Sequence, residues 1–78
     1  MRTTRYFAAI RKRADRLAIE DSWIERVAQN PEHEALQVDG RIRRWGRIPE
    51  AGNRWLRVVL LDDGLTVHNA FFDRRFEP

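Results

Sequence analysis

The sequence contains no cysteine, which excludes disulfide bonds and zinc sites built on thiolates. Its two histidines, His33 and His68, are too few for a metal cluster without help from carboxylates. It has no glycine-rich phosphate-binding loop, and no serine stands in a setting typical of a nucleophile. We therefore expect neither a metal nor a cofactor, and the common signatures of nucleotide binding and covalent catalysis are excluded.

Long apolar runs are missing as well. No apolar stretch approaches the roughly 20 residues that a membrane span needs. The basic start of the chain, residues 1–5, is not followed by the apolar stretch of a secretory signal. We expect a soluble, cytoplasmic protein without a membrane segment. A chain of 78 residues has room for one domain, residues 1–78, and a single core of this size is marginal in stability.

Positive charge is concentrated in the middle of the chain. The sequence has fifteen Lys+Arg against twelve Asp+Glu, and residues 1–40 carry seven side chains of each sign. Residues 41–57 carry six arginines and one acid, Glu50. Because arginine binds phosphate in a bidentate manner and stacks on rings, this run indicates an anionic partner. Free use of arginine by a GC-rich genome is the alternative explanation.

Helical spacing of apolar residues predicts two helices in the first half of the chain, at about residues 6–17 and 20–29. The first is basic, and the second has acids in its first turn, where the helix dipole favours them. Asn30-Pro31 ends the second helix, because a proline disfavours helix in the residue before it.

Four strands joined by turn signals follow in the second half. Turn residues stand at 39–40, 49–53 and 62–64. The predicted strands are about residues 34–38, 41–48, 55–61 and 65–72. Connections this short force antiparallel neighbours. The sequence therefore predicts an α+β fold, with two N-terminal helices packed on one face of a three- to four-stranded antiparallel β-meander.

Alternation along these strands predicts a face of arginines and aromatic rings that points away from the helices. Pairing the second and third strands sets Trp45 beside Arg57, and Arg43 beside Val59. With the last hairpin turning at residues 63–64, the face would carry Arg41, Arg43, Trp45, Arg47, Trp55, Arg57, His68 and Phe72. A slip of one residue would bury the whole set, and unpaired buried arginines are costly.

Arginines interleaved with aromatic rings on an open sheet are typical of binding to single-stranded nucleic acid. Guanidinium groups hold phosphates, and flat rings stack on unpaired bases. The residues expected to bind RNA are Arg41, Arg43, Trp45, Arg47, Trp55 and Arg74. Two alternatives stay open. The rings plug one another, or the face binds a protein, since Trp and Arg are also enriched at protein interfaces.

His68 is the candidate proton carrier, because imidazole has an ordinary pKa of about 6.5. Beside Arg57 and Arg43 it would take the proton from a ribose 2′-hydroxyl, while the arginines stabilise charge on phosphorus. Asp73 would orient His68 or pair with an arginine. The candidate catalytic set is therefore His68, Arg57 and Asp73. A packed strand histidine and a solvated C-terminal segment are the structural alternatives.

Three stretches carry a family resemblance: residues 38–46 (VDGRIRRWG), 56–59 (LRVV) and 67–74 (VHNAFFDR). They resemble a family of short, uncharacterised bacterial proteins with the pattern DGRIR-W-G followed by HNAFFDR. That family is distantly similar to the RelE/BrnT-type toxins of toxin–antitoxin pairs, in which helices pack against an antiparallel sheet and many members cut mRNA without a metal.

The resemblance implies a toxin-like RNA-binding domain, or a metal-independent endoribonuclease, with RNA and a small antitoxin-like protein as partners. The residues leave a second hypothesis open. The chain would then be a non-enzymatic protein-interaction module, in a homodimer or a small complex, that uses the same sheet face.

Overall fold

The computed structural model describes all 78 residues and has its helices before its strands. The elements are α1 (Arg5–Ile10), α2 (Ala14–Leu17), α3 (Asp21–Gln29), β1 (His33–Leu36), β2 (Ile42–Ile48), β3 (Arg54–Leu60) and β4 (Val67–Phe72), with a 3₁₀ turn at Pro49–Ala51. The strands form one antiparallel sheet in the order β1-β2-β3-β4. The predicted α+β class and the antiparallel meander are confirmed.

The prediction of one continuous helix over residues 6–17 is wrong. The helix breaks at residues 11–13 into α1 and α2, and Arg13 has extended backbone angles, φ −69° and ψ 150°. Three consecutive basic residues stand at the break, and Leu17 beyond it is 68% exposed. A continued helix would set the like charges of Lys12 and Arg16 one turn apart without gaining a buried face. No helix of the chain has the length and apolar character that crossing a membrane requires.

One apolar core joins the helices to the sheet. Its buried members are Phe7, Ile19, Ile24, Val27, Ile48, Leu56, Val58, Leu60, Val67 and Ala70. At Gly46, in the middle of β2, an added Cβ would lie 3.0 Å from Cγ2 of Val27. The missing side chain at Gly46 therefore lets α3 lie close to the sheet.

The predicted pairing of the two central strands is confirmed. Trp45 lies opposite Arg57, and Arg43 lies opposite Val59. Because partners across a strand pair point to the same side, the arginine and tryptophan side chains share one face. Gly46, whose position faces Val27 of α3, belongs to the other face.

The predicted face of Val67 in the last hairpin is confirmed, but the predicted faces of the residues after it are wrong. A β-bulge interrupts the β3–β4 ladder, so that Leu60 pairs with Val67 but Val59 pairs with Asn69. The extra residue is His68. An extra residue reverses the alternation that follows it. Phe72 therefore lies opposite Leu56 and contacts the core, rather than sharing a face with the arginines.

Two strand boundaries differ from the prediction by two residues, the end of β1 and the start of β4, because turns include those residues. Gly40 N–H donates to the carbonyl of Gln37, so β1 stops at Leu36 and not at residue 38. Asp63 accepts hydrogen bonds from the Thr66 hydroxyl and from two backbone amides, which lowers its pKa to about 2. This capped turn delays β4 until Val67.

Candidate nucleic-acid interface

We call the sheet side opposite α3 the open face. Its central side chains are Arg43, Trp45 and Arg47 from β2, and Trp55, Arg57 and Val59 from β3. The strands place them there by simple alternation, since each of these residues is two positions from the next on its strand. The predicted grouping of Arg43, Trp45 and Arg57 on one side is confirmed.

A charged cluster lies at the centre of the open face. Oδ2 of Asp73 accepts hydrogen bonds from Trp45 Nε1 at 3.0 Å, from Arg57 Nε at 3.0 Å and from Arg57 Nη2 at 2.8 Å. Oδ1 accepts the backbone N–H of Arg75 at 3.2 Å. Burial acts to raise the pKa of Asp73, but the hydrogen bonds from Trp45 and Arg57 outweigh it and hold that pKa below its usual value. Asp73 is thus an ionised anchor beneath the C-terminal tail, residues 74–78.

The tail turns back over the open face and places Phe76 among three rings. The Phe76 ring stacks on Trp45, with centroids 4.5 Å apart and planes at 16°. Trp55 lies edge-on at 5.0 Å, and the His33 ring is 5.4 Å away. We call Trp45, Trp55 and His33 the aromatic cage.

The cage corrects the expectation that Trp45 points into solvent. Trp45 is only 6% exposed, because Phe76 covers its ring and Asp73 takes its indole N–H. Trp45 therefore follows the alternative interpretation, in which the aromatic rings of this face cover one another. Trp55 is half-buried and keeps one face near the guanidinium of Arg47, 4.7 Å from the ring centroid.

Two arginines of the open face have no carboxylate partner. Seven of the fifteen basic side chains form ion pairs with acids, namely Arg11, Arg13, Arg16, Arg26, Arg41, Arg44 and Arg57. Arg43 and Arg47 are not among them. Nε of Arg43 is buried without a hydrogen-bond partner. Nε of Arg16 is unpartnered in the same way although Arg16 forms an ion pair, so the free charge of Arg43 rests on its missing carboxylate partner.

The other predicted phosphate ligands are placed differently. Arg41 pairs with Asp39 at 3.6 Å in the β1–β2 turn. Arg74 directly follows the Asp73 anchor, Arg75 comes next, and both are exposed. Arg57 is engaged by Asp73 and also lies 5.5 Å from the Trp45 ring centroid. The free positive charge is therefore carried by Arg43, Arg47 and the tail arginines.

His68 does not join the predicted catalytic set. Its Nδ1 lies 3.1 Å from the Thr4 hydroxyl, and its ring stacks on Tyr6 at 4.9 Å. Arg57 lies opposite Phe71, three residues along β4 from His68, which corresponds to about 10 Å of strand. Burial lowers the pKa of His68, Arg41 lowers it further, and Asp39 opposes them. The structure thus brings Arg57 and Asp73 together and ties His68 to α1.

Sequence reasoning missed Phe76 and Phe71 as members of this surface. Phe71 shares the open face with Arg57 because of the bulge, and it lies beneath the guanidiniums of Arg57 and Arg16. The signal for Phe76 was available, since an aromatic residue in a short charged tail is a natural partner for exposed indoles. The bulge had no such signal in the sequence.

No protein-family model matches the chain, and comparisons with curated proteins and with solved structures found no significant match.

Proposed function

We propose that the open face binds single-stranded RNA. The observation that carries the proposal is that two guanidinium groups without acid partners, those of Arg43 and Arg47, lie on the same sheet face as the aromatic cage, with Arg47 directly over Trp55. Phosphates would bind the free guanidiniums, and a base would stack on the half-exposed ring of Trp55.

The charge pattern supports an anionic ligand on this face. Asp73 neutralises Arg57, whereas Glu32 accepts only the backbone N–H of Arg47, and no ion pair engages the Arg47 guanidinium. On the opposite side, Arg44 contacts Glu34 and the Ala28 carbonyl. The arginine on the helix side is therefore used for structure, whereas those of the open face are available.

The element order, helices followed by an antiparallel meander, supports a distant relation to RelE/BrnT-type toxins. We extend the proposal to that class, with a small antitoxin-like protein as a further partner. The contacts give less support to cleavage. The Asp73 carboxylate already accepts hydrogen bonds from Trp45 and Arg57, and His68 is hydrogen-bonded to Thr4 and stacked on Tyr6. We therefore propose RNA binding as the activity of this site.

A salt titration of oligouridylate binding, followed by fluorescence anisotropy, tests the proposal. Wild type should bind more weakly as salt rises, because each phosphate contact releases counterions. Arg43→Gln and Arg47→Gln should each weaken binding and make the slope of log K against log salt shallower by about 0.7.

The matched control is Arg5→Gln, which removes a free exposed arginine from α1 and should change neither quantity. An oligouridylate affinity that does not change with salt concentration would contradict the proposal. So would equal losses in Arg5→Gln and in the two variants of the open face.

Protein docking at the free edge of β1 is a second candidate function, and we propose a second copy of the chain as the occupant. Leu36 is 75% exposed on this edge. Hydrogen-bonded pairs alternate along an antiparallel ladder, and Gln37 donates to Arg41. The backbone groups of Glu34 and Leu36 therefore point away from β2, where a further strand would bind them.

The shape of the edge supports a second copy as the occupant. Two identical β1 strands that run antiparallel offer each other the same unpaired backbone groups. The charges at the ends of β1 are paired within the chain, Glu34 with Arg44 and Arg41 with Asp39, so they do not oppose this contact. Sedimentation should then show a dimer that Leu36→Glu disrupts and Leu17→Glu, at an exposed position on α2, leaves intact. A monomer at all concentrations would contradict this candidate.

A further inference from the structure

We infer that the aromatic cage is a pocket for one unpaired nucleobase, and that the chain's own Phe76 occupies it until RNA displaces the ring. This inference rests on the proposed function and adds a regulated base pocket to it. The tail would then be an internal competitor of the ligand.

The geometry of Phe76 is that of a stacked base. The ring lies nearly parallel to Trp45, at 4.5 Å and 16°, while Trp55 meets it edge-on at 70°. Proteins that bind single strands stack bases on aromatic side chains in this parallel manner. His33, at the start of β1, forms the third side.

The contacts of the tail allow the Phe76 ring to leave the cage while the sheet keeps its structure. Asp73 stays fixed, since its backbone N–H donates to Trp55 and its carboxylate binds Trp45 and Arg57. Beyond it, Phe76 has one backbone hydrogen bond, a long one of 3.5 Å to the Asp73 carbonyl. The residues around Phe76 in the tail are exposed. The stack itself is thus the main contact that keeps Phe76 in place.

The charges around the cage favour a nucleotide over a phenyl ring. Arg47 lies 4.7 Å from the Trp55 ring centroid, and Arg57 lies 5.5 Å from that of Trp45. Arg57 is already paired with Asp73, but Phe76 brings no charge to the Arg47 guanidinium, whereas a nucleotide brings a phosphate with its base. Replacement of Phe76 by a base therefore keeps the stack and adds an ionic contact.

Anisotropy measurements of oligouridylate binding to Phe76→Ala test the inference. Removing the competing ring should tighten binding about 2- to 12-fold, the range that corresponds to one aromatic pair. Tyr6→Ala removes a ring that stacks on His68, outside the cage, and should leave the affinity unchanged. Phe76→Trp places a larger ring in the cage and should weaken binding, which keeps the test valid if Phe76→Ala unfolds.

The outcomes separate this inference from the proposed function. If wild type binds and Phe76→Ala binds equally or more weakly, or Phe76→Trp binds no more weakly than wild type, the competition is wrong and RNA binding stands. If neither wild type nor Phe76→Ala binds oligouridylate, both fail. In the expected case, acrylamide should also quench tryptophan fluorescence more strongly in Phe76→Ala than in wild type, because Trp45 loses its cover.

Discussion

The indole of Trp45 on β2 donates its N–H to the carboxylate of Asp73, 28 residues away and just beyond β4, at 3.0 Å. The bond spans β3, whose Arg57 binds the same oxygen. One carboxylate therefore ties three strands together on the open face, and it also fixes the point from which the tail turns back. This arrangement sets both the stability of the face and the charge it presents.

Asp73→Asn should act on stability and on RNA binding in opposite directions. The variant keeps an oxygen for Trp45 but leaves Arg57 without its charge partner, so the free energy of unfolding should fall by about 1–3 kcal/mol. RNA affinity at low salt should rise, and the salt slope should steepen by about 0.7, because Arg57 becomes free to bind phosphate. Urea unfolding and the anisotropy titration measure the two effects. Weaker RNA binding by a folded Asp73→Asn would contradict this account.

Gly46→Ala should destabilise the fold by about 1–3 kcal/mol, because the new methyl group would press on Val27, 3.0 Å away in α3. The same substitution in a Val27→Ala background should cost less, since the atom in its way is removed. A double-mutant cycle by urea unfolding measures the difference. Equal costs in the two backgrounds would show that the close packing of α3 on β2 is not the cause.

Stability should fall as the pH drops below 7, partly because of His68. Burial, helped by Arg41 and opposed by Asp39, holds the folded-state pKa of His68 below its ordinary 6.5. The unfolded chain therefore takes up a proton first, so this contribution is present above pH 6.5 and is lost as the pH falls through the folded pKa. Urea unfolding between pH 7.5 and 5 should show a smaller loss for His68→Gln than for wild type. Identical pH profiles would remove His68 as a cause.

His68 also separates RNA binding from catalysis. Its contacts are with Thr4 and Tyr6, at the start of α1. We expect His68→Ala to keep the oligouridylate affinity of wild type, whereas Arg43→Gln should lose affinity. If expression of the chain inhibits growth and His68→Ala abolishes that effect while binding RNA normally, the proton-carrier hypothesis regains support.

The sequence predicts the strand pairing of this fold better than the extent of its first helix. The β2–β3 pairing followed from a clear turn at residues 49–53 and from strict alternation, so the Trp45–Arg57 register could be predicted from the sequence. The helix break at residues 11–13 could not, because helical spacing continues to Leu17 although that side chain stays exposed. Periodicity shows which residues are apolar and does not show whether a surface is there to bury them.

The site was harder to predict than the fold because two of its features are tertiary. A single bulge at His68 reverses the faces of the four residues after it, and no turn residue marks its position. The return of the tail over Trp45 depends on Asp73, whose two partners lie 28 and 16 residues away. The sequence suggests that Asp73 pairs with an arginine, but it does not indicate that the tail beyond Asp73 covers Trp45.

The most direct test of the central claim is an amide NMR titration of the ¹⁵N-labelled chain with oligouridylate. We predict that the largest shifts fall on β2, on β3 and on the tail around Phe76, and that amides on the exposed side of α3 stay in place. Shifts concentrated on the helices, or no shifts at protein and RNA concentrations near one millimolar, would contradict RNA binding by the open face.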